Sequence, residues 1–234
     1  MLHYTAIDST RSPPVYDGQL LDACPPRQRR LCPGWRPLAA ARPAMSAAWW
    51  QWVASRDSLT ARLVAAGGER RFRVRLLGQH LARPALDEAL VLGLAPGRYA
   101  WCREVALCLD ERPWVVARSV APLEQLRGLR LDRLGERSLG SWLFRQPGLE
   151  RSPIEVTASS PPFQTGDGPW GRRSVFRLGP GLEDSCEDSC ENSREDSHAD
   201  SPENGHGRRH GRFTVLVQEY FLAAMRDDLG LPSR

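Results

Sequence analysis

One ten-residue stretch, 101–110, constrains the fold more than any other part of the chain because its side chains alternate in character. Residues two apart on a β-strand share a face. One row comprises Trp101, Arg103, Val105, Leu107 and Leu109, and the other comprises Cys102, Glu104, Ala106, Cys108 and Asp110. The first row is apolar except for Arg103, and the second is mixed and partly charged. This alternation, followed by turn-forming residues at 110–113, predicts a β-strand that opens a hairpin.

Arg103 needs a negatively charged partner, because a guanidinium in an apolar row is costly to bury and keeps its charge. Two kinds of partner fit the strand pattern. The first is a carboxylate of the protein itself, in an internal ion pair. The second is the carboxylate of a ligand, held by two parallel hydrogen bonds. The strand by itself leaves both open.

Two more ionisable side chains stand in apolar rows of other predicted strands. Arg118 lies in such a row on the hairpin partner, 113–120, and Glu219 lies in one on the last strand, 213–221. A second arginine in an apolar row makes an accidental arrangement less probable. The lone carboxylate of Glu219 is either the structural partner of an arginine or a ligand contact.

The remaining periodic segments define the fold class. The six predicted strands are 72–77, 101–110, 113–120, 154–157, 174–178 and 213–221. Helical segments are predicted at 47–53, from Leu59 to Gly67, at 84–94 and from Leu139 to Phe144. Hairpin-length links between most strands favour antiparallel pairing. The pattern therefore predicts a single α+β domain with a six-stranded antiparallel sheet and helices covering one of its faces.

Two helix starts present backbone N–H groups that could bind an anion. Asp57 or Ser58 is a good N-cap for the helix that begins at Leu59, and Ser138 is a good N-cap for the one that begins at Leu139. The first N–H groups of a helix have no partner within it, so they are available to a ligand. Taken singly the signal is weak, since every helix has such an end.

Composition restricts the classes of partner. All 32 basic residues are arginine, and outside residues 183–203 the basic residues outnumber the acidic ones. This balance suits an anionic small molecule or a nucleic acid. The arginines are scattered and no nucleic-acid motif accompanies them, so we expect no nucleic-acid partner. No apolar run is long enough for a membrane span and no signal-peptide core is present, so we expect a cytoplasmic protein. We also expect the protein to be a monomer.

The chain divides into a core domain and less regular segments. Residues 1–32 are rich in Pro and Arg without periodicity, which predicts a disordered or loosely ordered N-terminal extension. The domain is predicted to occupy 33–225, with a C-terminal tail at 226–234. Within it, 183–211 contains a period-four Glu-Asp-Ser-Cys-type repeat, which predicts a disordered hairpin insertion. Its two cysteines and three histidines invite a metal site, but zinc ligands need spaced pairs on an ordered scaffold, so we predict none.

Several motifs, in this order along the chain, resemble the chorismate pyruvate-lyase family, whose bacterial members make 4-hydroxybenzoate for ubiquinone. The motifs are 57–60 (DSLT), 101–105 (WCREV), 113–122 (beginning with PW and ending with RSVAP), 134–140 (beginning and ending with LG), 170–174 (WGRRS) and 217–221 (VQEYF). The resemblance covers about 33–225, apart from the repeat, where the family has a short connection. No single motif is decisive, but the ordered set is fairly specific.

The resemblance implies a site and a reaction. Arg103 and the amides of Leu59 and Leu139 would hold the ring carboxylate, and Glu219 would contact the product hydroxyl. Arg118 matches a family arginine near the pocket. The implied reaction is the loss of pyruvate from chorismate, driven by aromatisation and without a metal or redox cofactor. Arg103 and Glu219 are thus the implied catalytic residues.

Two other function classes remain open. Sensor domains of some bacterial transcription regulators share this fold and only bind small molecules, but they normally follow a DNA-binding domain. Residues 1–32 are too short and irregular for a winged helix. A basic nucleic-acid binder would instead show exposed aromatic side chains on a sheet face, with arginines around them.

We expect replacement of 183–211 by a short Asn-Gly turn to leave the fold and the activity intact. The flanking strands end cleanly, and the repeat has no residues that could form a core. Thermal unfolding and an activity assay on the shortened and full-length proteins would check this. Loss of activity, or stoichiometric zinc in the full-length protein, would instead support a metal-binding role for the repeat.

Overall fold

An antiparallel sheet organises the chain in the computed structural model, which describes residues 34–126, 129, 131–179 and 212–234. The strands are β1 (Arg36–Pro37), β2 (Phe72–Ala82), β3 (Ala100–Leu109), β4 (Arg112–Pro122), β5 (Glu150–Arg151), β6 (Glu155–Thr157), β7 (Trp170–Leu178) and β8 (Phe213–Phe221). Their order across the sheet is β1-β6-β7-β8-β4-β3-β2, and β5 pairs with β7 beside β6. The N-terminal extension and the 183–211 insertion lie outside the described residues.

The sheet has eight strands where the sequence predicted six. All six predicted strands are present, and the two additional ones, β1 and β5, have two residues each. Alternation cannot be recognised in so short a segment, because a strand signal needs four or more residues. The antiparallel α+β class is confirmed, and the strand count is corrected.

Six α-helices accompany the sheet in the described residues, and the two for which the sequence predicted an N-cap begin where it predicted. The six helices are α1 (Leu38–Ala41), α2 (Ala47–Val53), α3 (Leu59–Gly67), α4 (Leu86–Leu92), α5 (Leu139–Leu143) and α6 (Ala223–Asp228). Short 3₁₀ helices cover Leu123–Leu126 and Leu131–Leu134. The hydroxyl of Ser58 accepts a hydrogen bond from the Ala61 amide, and that of Ser138 accepts one from the Ser141 amide. Both N-cap predictions are confirmed.

Two apolar clusters cover one face of the sheet, which we call the front face. The first joins α2 and α3 to the sheet through Trp49, Leu63, Leu107 and Phe221. The second joins α5 and the 3₁₀ segment before it to residues that include Phe176 and Val215. These clusters leave a cavity between them over the middle of the sheet.

The prediction that helices cover only one face is wrong. Helix α4 packs on the opposite face, the back face, against β4 and β8. Cys102 and Val120 are fully buried there beside Leu92 and Leu94. Both sides of β3 and β4 are therefore enclosed, which explains why the nominally polar row of β3 is as buried as its apolar row.

Arg118 lies on this back face, so the expectation that it lies near the pocket is corrected. Its Nε donates to Glu88 Oε1 of α4 at 2.8 Å, and its Nη1 donates to Glu104. Gln218 also donates to Glu88. Burial alone would lower the pKa of Arg118, but the neighbouring Glu88 and Glu104 raise it overall. The Arg118 guanidinium thus forms internal ion pairs with Glu88 and Glu104, and the pair with Glu88 holds α4 against the sheet.

A β-bulge accounts for this placement. Leu109 and Cys108 pair with Arg112 and Pro113, but Leu107 then pairs with Val115, so Trp114 is the extra residue. Without the bulge, Arg118 would lie opposite Arg103 on the same face. A one-residue shift in register moves every later side chain of the strand to the other face.

The last residues lie against the core. Leu229 and Leu231 pack on the first cluster, and the Pro232 carbonyl accepts a hydrogen bond from Trp49 Nε1 at 2.7 Å. Residues 226–234, predicted as a C-terminal tail, thus include the end of α6 and contacts with α2. No helix among the described residues is long and apolar enough to cross a membrane.

We expect Arg118→Ala to lower the free energy of unfolding by about 3–5 kcal/mol, because it leaves the buried Glu88 carboxylate without its cation. Urea unfolding of the variant and the parent would measure the difference. Arg73→Ala is the matched control, since Arg73 also pairs with two carboxylates, Glu111 and Glu136, but on the surface. That control should lose much less, because water and salt screen an exposed ion pair. Equal losses in the two variants would contradict a structural role for the back-face pair.

Candidate functional site

The cavity on the front face is lined by four central strands and two helix starts. Its volume is about 600 Å³, counting the part open to solvent. Its ionisable lining side chains are Asp57, Arg103, Arg151, Arg172 and Glu219, and its apolar lining includes Val105, Leu107, Leu143, Phe144, Phe176 and Val217. A mostly apolar wall with a few convergent charges is typical of a small-molecule site. The excess of arginine favours an anionic ligand.

The sheet register brings the charged residues of different strands onto the same face. Arg103 of β3 pairs with Ser119 of β4, and Ser119 pairs with Val217 of β8. Glu219 pairs with Ala117 of β4 on one side and with Arg172 of β7 on the other. Directly paired residues share a sheet face, so Arg103, Glu219 and Arg172 all point toward the cavity.

Arg103 is held by neutral oxygen atoms. Its Nη2 donates to the carbonyls of Gly135 and Arg137, both at 2.9 Å, and its Nη1 donates to Gln79 Oε1 at 3.1 Å. The side chain is buried, and burial lowers its pKa. Among the described residues no carboxylate forms an ion pair with it. Of the two partners that the sequence left open, the internal carboxylate is therefore not found in this part of the chain.

Glu219 has an arginine partner. Arg172 Nε donates to Glu219 Oε2 at 2.6 Å. Arg172 Nη1 donates to the carbonyls of Trp52, Val53 and Ser55 at the end of α2. The Glu219 side chain retains 17% exposure, and it lines the cavity. It is thus both the partner of an arginine and a group that a ligand can reach.

The two predicted helix starts meet in the wall of the cavity. Leu59 and Leu139 both line it, and both are buried. Thr60 Oγ1 and Ser138 Oγ form a hydrogen bond of 2.8 Å that connects α3 to the cap of α5. The structure therefore brings together all four predicted site residues, Arg103, Glu219, Leu59 and Leu139.

Arg151 and Arg172 also line the cavity, and sequence reasoning missed both. Arg151 lies on the two-residue strand β5, which has no recognisable pattern. Arg172 lies on β7, which is buried on both faces, so its sequence lacks alternation. The signal that could have revealed it is the pair Arg172-Arg173 within a buried strand, because neighbouring strand residues point to opposite faces.

Arg151 is a third cation at the site. Its Nε donates to Ser174 Oγ at 3.1 Å and its Nη1 donates to the Ser55 carbonyl at 3.2 Å. Burial, together with the charge of Arg172, lowers the pKa of Arg151 to about 10, although Glu219 acts in the opposite direction. The guanidinium therefore lies where a further negative charge would be favourable.

The front-face cavity has no metal-ligand cluster in the part of the chain that the structure describes. Across those residues no group of three or more His, Cys, Asp or Glu side chains could hold an ion. The cysteines and histidines of 183–211 lie outside them. The chemistry available to the described cavity is the positioning of anionic groups, hydrogen bonding by Glu219 and exclusion of water by the apolar lining.

Comparisons with known proteins agree on one family. The sequence model of the chorismate lyase family matches residues 35–181. A probable chorismate pyruvate-lyase from Chromohalobacter salexigens is 52% identical over 209 residues, covering 86% of this chain and 95% of that protein. Another from Methylococcus capsulatus is 44% identical over 138 residues, covering 54% of this chain and 85% of that protein.

Two solved structures show a distant likeness. The effector domain of PhnF from Mycobacterium smegmatis aligns with 64% of this chain and 81% of its own, at 12% identity and a TM-score of 0.37. The ligand-binding domain of a GntR-family regulator from Bordetella bronchiseptica gives 17% identity and a TM-score of 0.38, over 67% of this chain and 86% of its own. A likeness at this level carries no argument about function.

Proposed function

The chain belongs to the chorismate lyase family, and we propose that it releases pyruvate from chorismate to give 4-hydroxybenzoate in the front-face cavity. The observation that carries this proposal is the buried, positively charged Arg103 at one side of an apolar cavity whose other side holds Glu219. Such a cavity suits a ring with a carboxylate at one end and a hydroxyl at the other, as in 4-hydroxybenzoate. We further propose that this product enters ubiquinone synthesis.

In this proposal Arg103 binds the ring carboxylate. Its Nη2 and part of its Nη1 are taken up by neutral oxygens, so Nε and the second Nη1 hydrogen are the donors left for a charge-assisted contact with the ligand. No carboxylate of the described residues neutralises the guanidinium. The amides at Leu59 and Leu139 approach the same end of the ligand from the helix starts, where N–H groups and the helix dipole favour an anion. Backbone donors tolerate any side chain at these two positions.

Glu219 binds the ring hydroxyl. Its Oε2 is engaged by Arg172 at 2.6 Å, so Oε1 is the atom that faces a ligand. Because Arg172 is itself fixed by three carbonyls of the α2 end, the carboxylate is held in one orientation. A carboxylate in this position fixes the hydroxyl by a charge-assisted hydrogen bond.

The reaction needs positioning more than it needs a reactive side chain. The ether bond from the ring to the enolpyruvyl oxygen breaks, and that oxygen becomes the keto oxygen of pyruvate. The hydrogen on the ring carbon that bears the hydroxyl passes to the enolpyruvyl methylene, which becomes the pyruvate methyl group. Atoms and electrons balance within the substrate, and the ring becomes aromatic. The residues of the cavity contribute by orienting the substrate and stabilising charge in a dry site.

The direct test is to mix the purified protein with chorismate and follow both products. We expect pyruvate and 4-hydroxybenzoate in a 1:1 ratio, measured by a lactate-dehydrogenase-coupled assay and by chromatography. A reaction without protein gives the spontaneous rate. Tight binding of 4-hydroxybenzoate without any release of pyruvate would overturn the lyase proposal and favour the sensor domain instead.

We expect Arg103→Ala to weaken 4-hydroxybenzoate binding by about 2–5 kcal/mol, because it removes a buried charged contact. Arg103→Lys should also bind poorly, since the ammonium cannot reproduce the fork geometry of the guanidinium donors. Isothermal titration of each variant would measure the change. Arg73→Ala, on the surface, is the control and should bind like the parent. Parent-like affinity in Arg103→Ala would exclude the assigned role.

A further inference from the structure

Chorismate carries two carboxylates, whereas 4-hydroxybenzoate carries one. The second carboxylate belongs to the enolpyruvyl group and leaves with pyruvate. The groups assigned so far, Arg103, the two helix starts and Glu219, contact only the atoms that remain in the product. If the proposed function holds, a further cation should therefore contact the part that departs.

Arg151 is placed to be that cation. It lines the cavity from β5, next to β7, whereas Arg103 reaches it from β3. Three strands, β7, β8 and β4, separate β5 from β3, so the two arginines approach from backbones about 19 Å apart, at roughly 4.8 Å per strand. Two long side chains that extend toward each other from such positions leave room for a ring between them.

The hydrogen bonds of Arg151, which lines the cavity, leave part of its guanidinium without a partner in the described residues. Nε and Nη1 are engaged by the neutral oxygens of Ser174 and Ser55. Within the described ranges, Nη2 has no hydrogen-bond partner and Arg151 has no ion pair. The guanidinium also lies 5.1 Å from the centre of the Phe176 ring, which fixes its plane. It is thus held in place while a donor edge remains available.

The charges around Arg151 favour an anion beside it, and Glu219 does not serve as that anion. Glu219 is bound by Arg172, which leaves Arg151 beside another cation. Burial and that cation together make the protonated state less favourable, as the lowered pKa of Arg151 indicates. A bound carboxylate would relieve both effects.

We infer that Arg151 binds the enolpyruvyl carboxylate of chorismate, while Arg103 binds the ring carboxylate. With both ends held, the enolpyruvyl methylene is kept close to the ring hydrogen that it receives. Arg151 therefore acts on substrate binding and on the reacting geometry, and it makes no contact with the retained product. This inference rests on the proposed function and adds a residue to it.

The test compares substrate turnover with product binding in Arg151→Gln. Loss of a charged contact of about 2 kcal/mol or more corresponds to a fall of roughly 30-fold or more in kcat/KM for chorismate. We expect the Kd for 4-hydroxybenzoate to stay within about threefold of the parent value. Arg103→Ala should lower kcat/KM and raise the Kd for 4-hydroxybenzoate. Arg98→Gln, which removes an exposed arginine outside this cavity, should change neither.

Two results would overturn the inference. The first is an unchanged kcat/KM in Arg151→Gln. The second is an equal loss of turnover and of product affinity, which would show that Arg151 only supports the cavity structurally. If Arg151→Gln does not fold, Arg151→Lys takes its place, with an expected fall of about tenfold in kcat/KM and unchanged product binding. Parent-like turnover in that variant would likewise overturn it.

The outcome for the parent protein separates this inference from the proposed function. If the parent releases no pyruvate from chorismate, the proposed function fails. If it does release pyruvate and Arg151→Gln is as active as the parent, only the assignment of Arg151 fails.

Discussion

The interaction on which the site depends is the set of hydrogen bonds made by Arg172. Its guanidinium joins Glu219 of β8 to the last carbonyls of α2. A cation at a helix C-terminus satisfies carbonyls that have no partner within the helix. The same contacts fix residues 53–55, from which the chain continues to the start of α3. The buried Arg172 side chain therefore fixes the orientation of the Glu219 carboxylate, the position of the end of α2 and the path of the chain toward Leu59.

The arginines on the two faces of the sheet differ in how many of them have a carboxylate partner. On the back face each has carboxylate partners, as Arg118 has Glu88 and as Arg173 has Asp87 and Glu155. On the front face Arg172 pairs with the half-buried Glu219, whereas Arg103 and Arg151 are held by neutral oxygens. Paired charges on the back face stabilise the fold, whereas the front-face arginines without a carboxylate partner in the described residues are the ones to which we assign an anionic ligand.

The sequence predicted the parts of this structure that depend on local pattern. Alternation located β3 and β8, and the capping residues Ser58 and Ser138 located the starts of α3 and α5. It could not predict which face of β4 carries Arg118, because the bulge at Trp114 depends on packing rather than on local propensity. It also missed Arg151, because a two-residue strand forms only where a neighbouring strand is already in place.

The residues that line the cavity come from segments spread between 57 and 219, so no fragment of the domain contains a complete binding site. Long-range sheet pairing makes the native contacts non-local and their formation cooperative. A ligand held by all of these segments binds only the fully folded state, and by mass action it stabilises that state, by about 2.7 kcal/mol at a ligand concentration 100 times its Kd. Through this linkage, occupancy of a cavity on one face of the sheet contributes to the stability of the entire domain, including the helix packed on the other face.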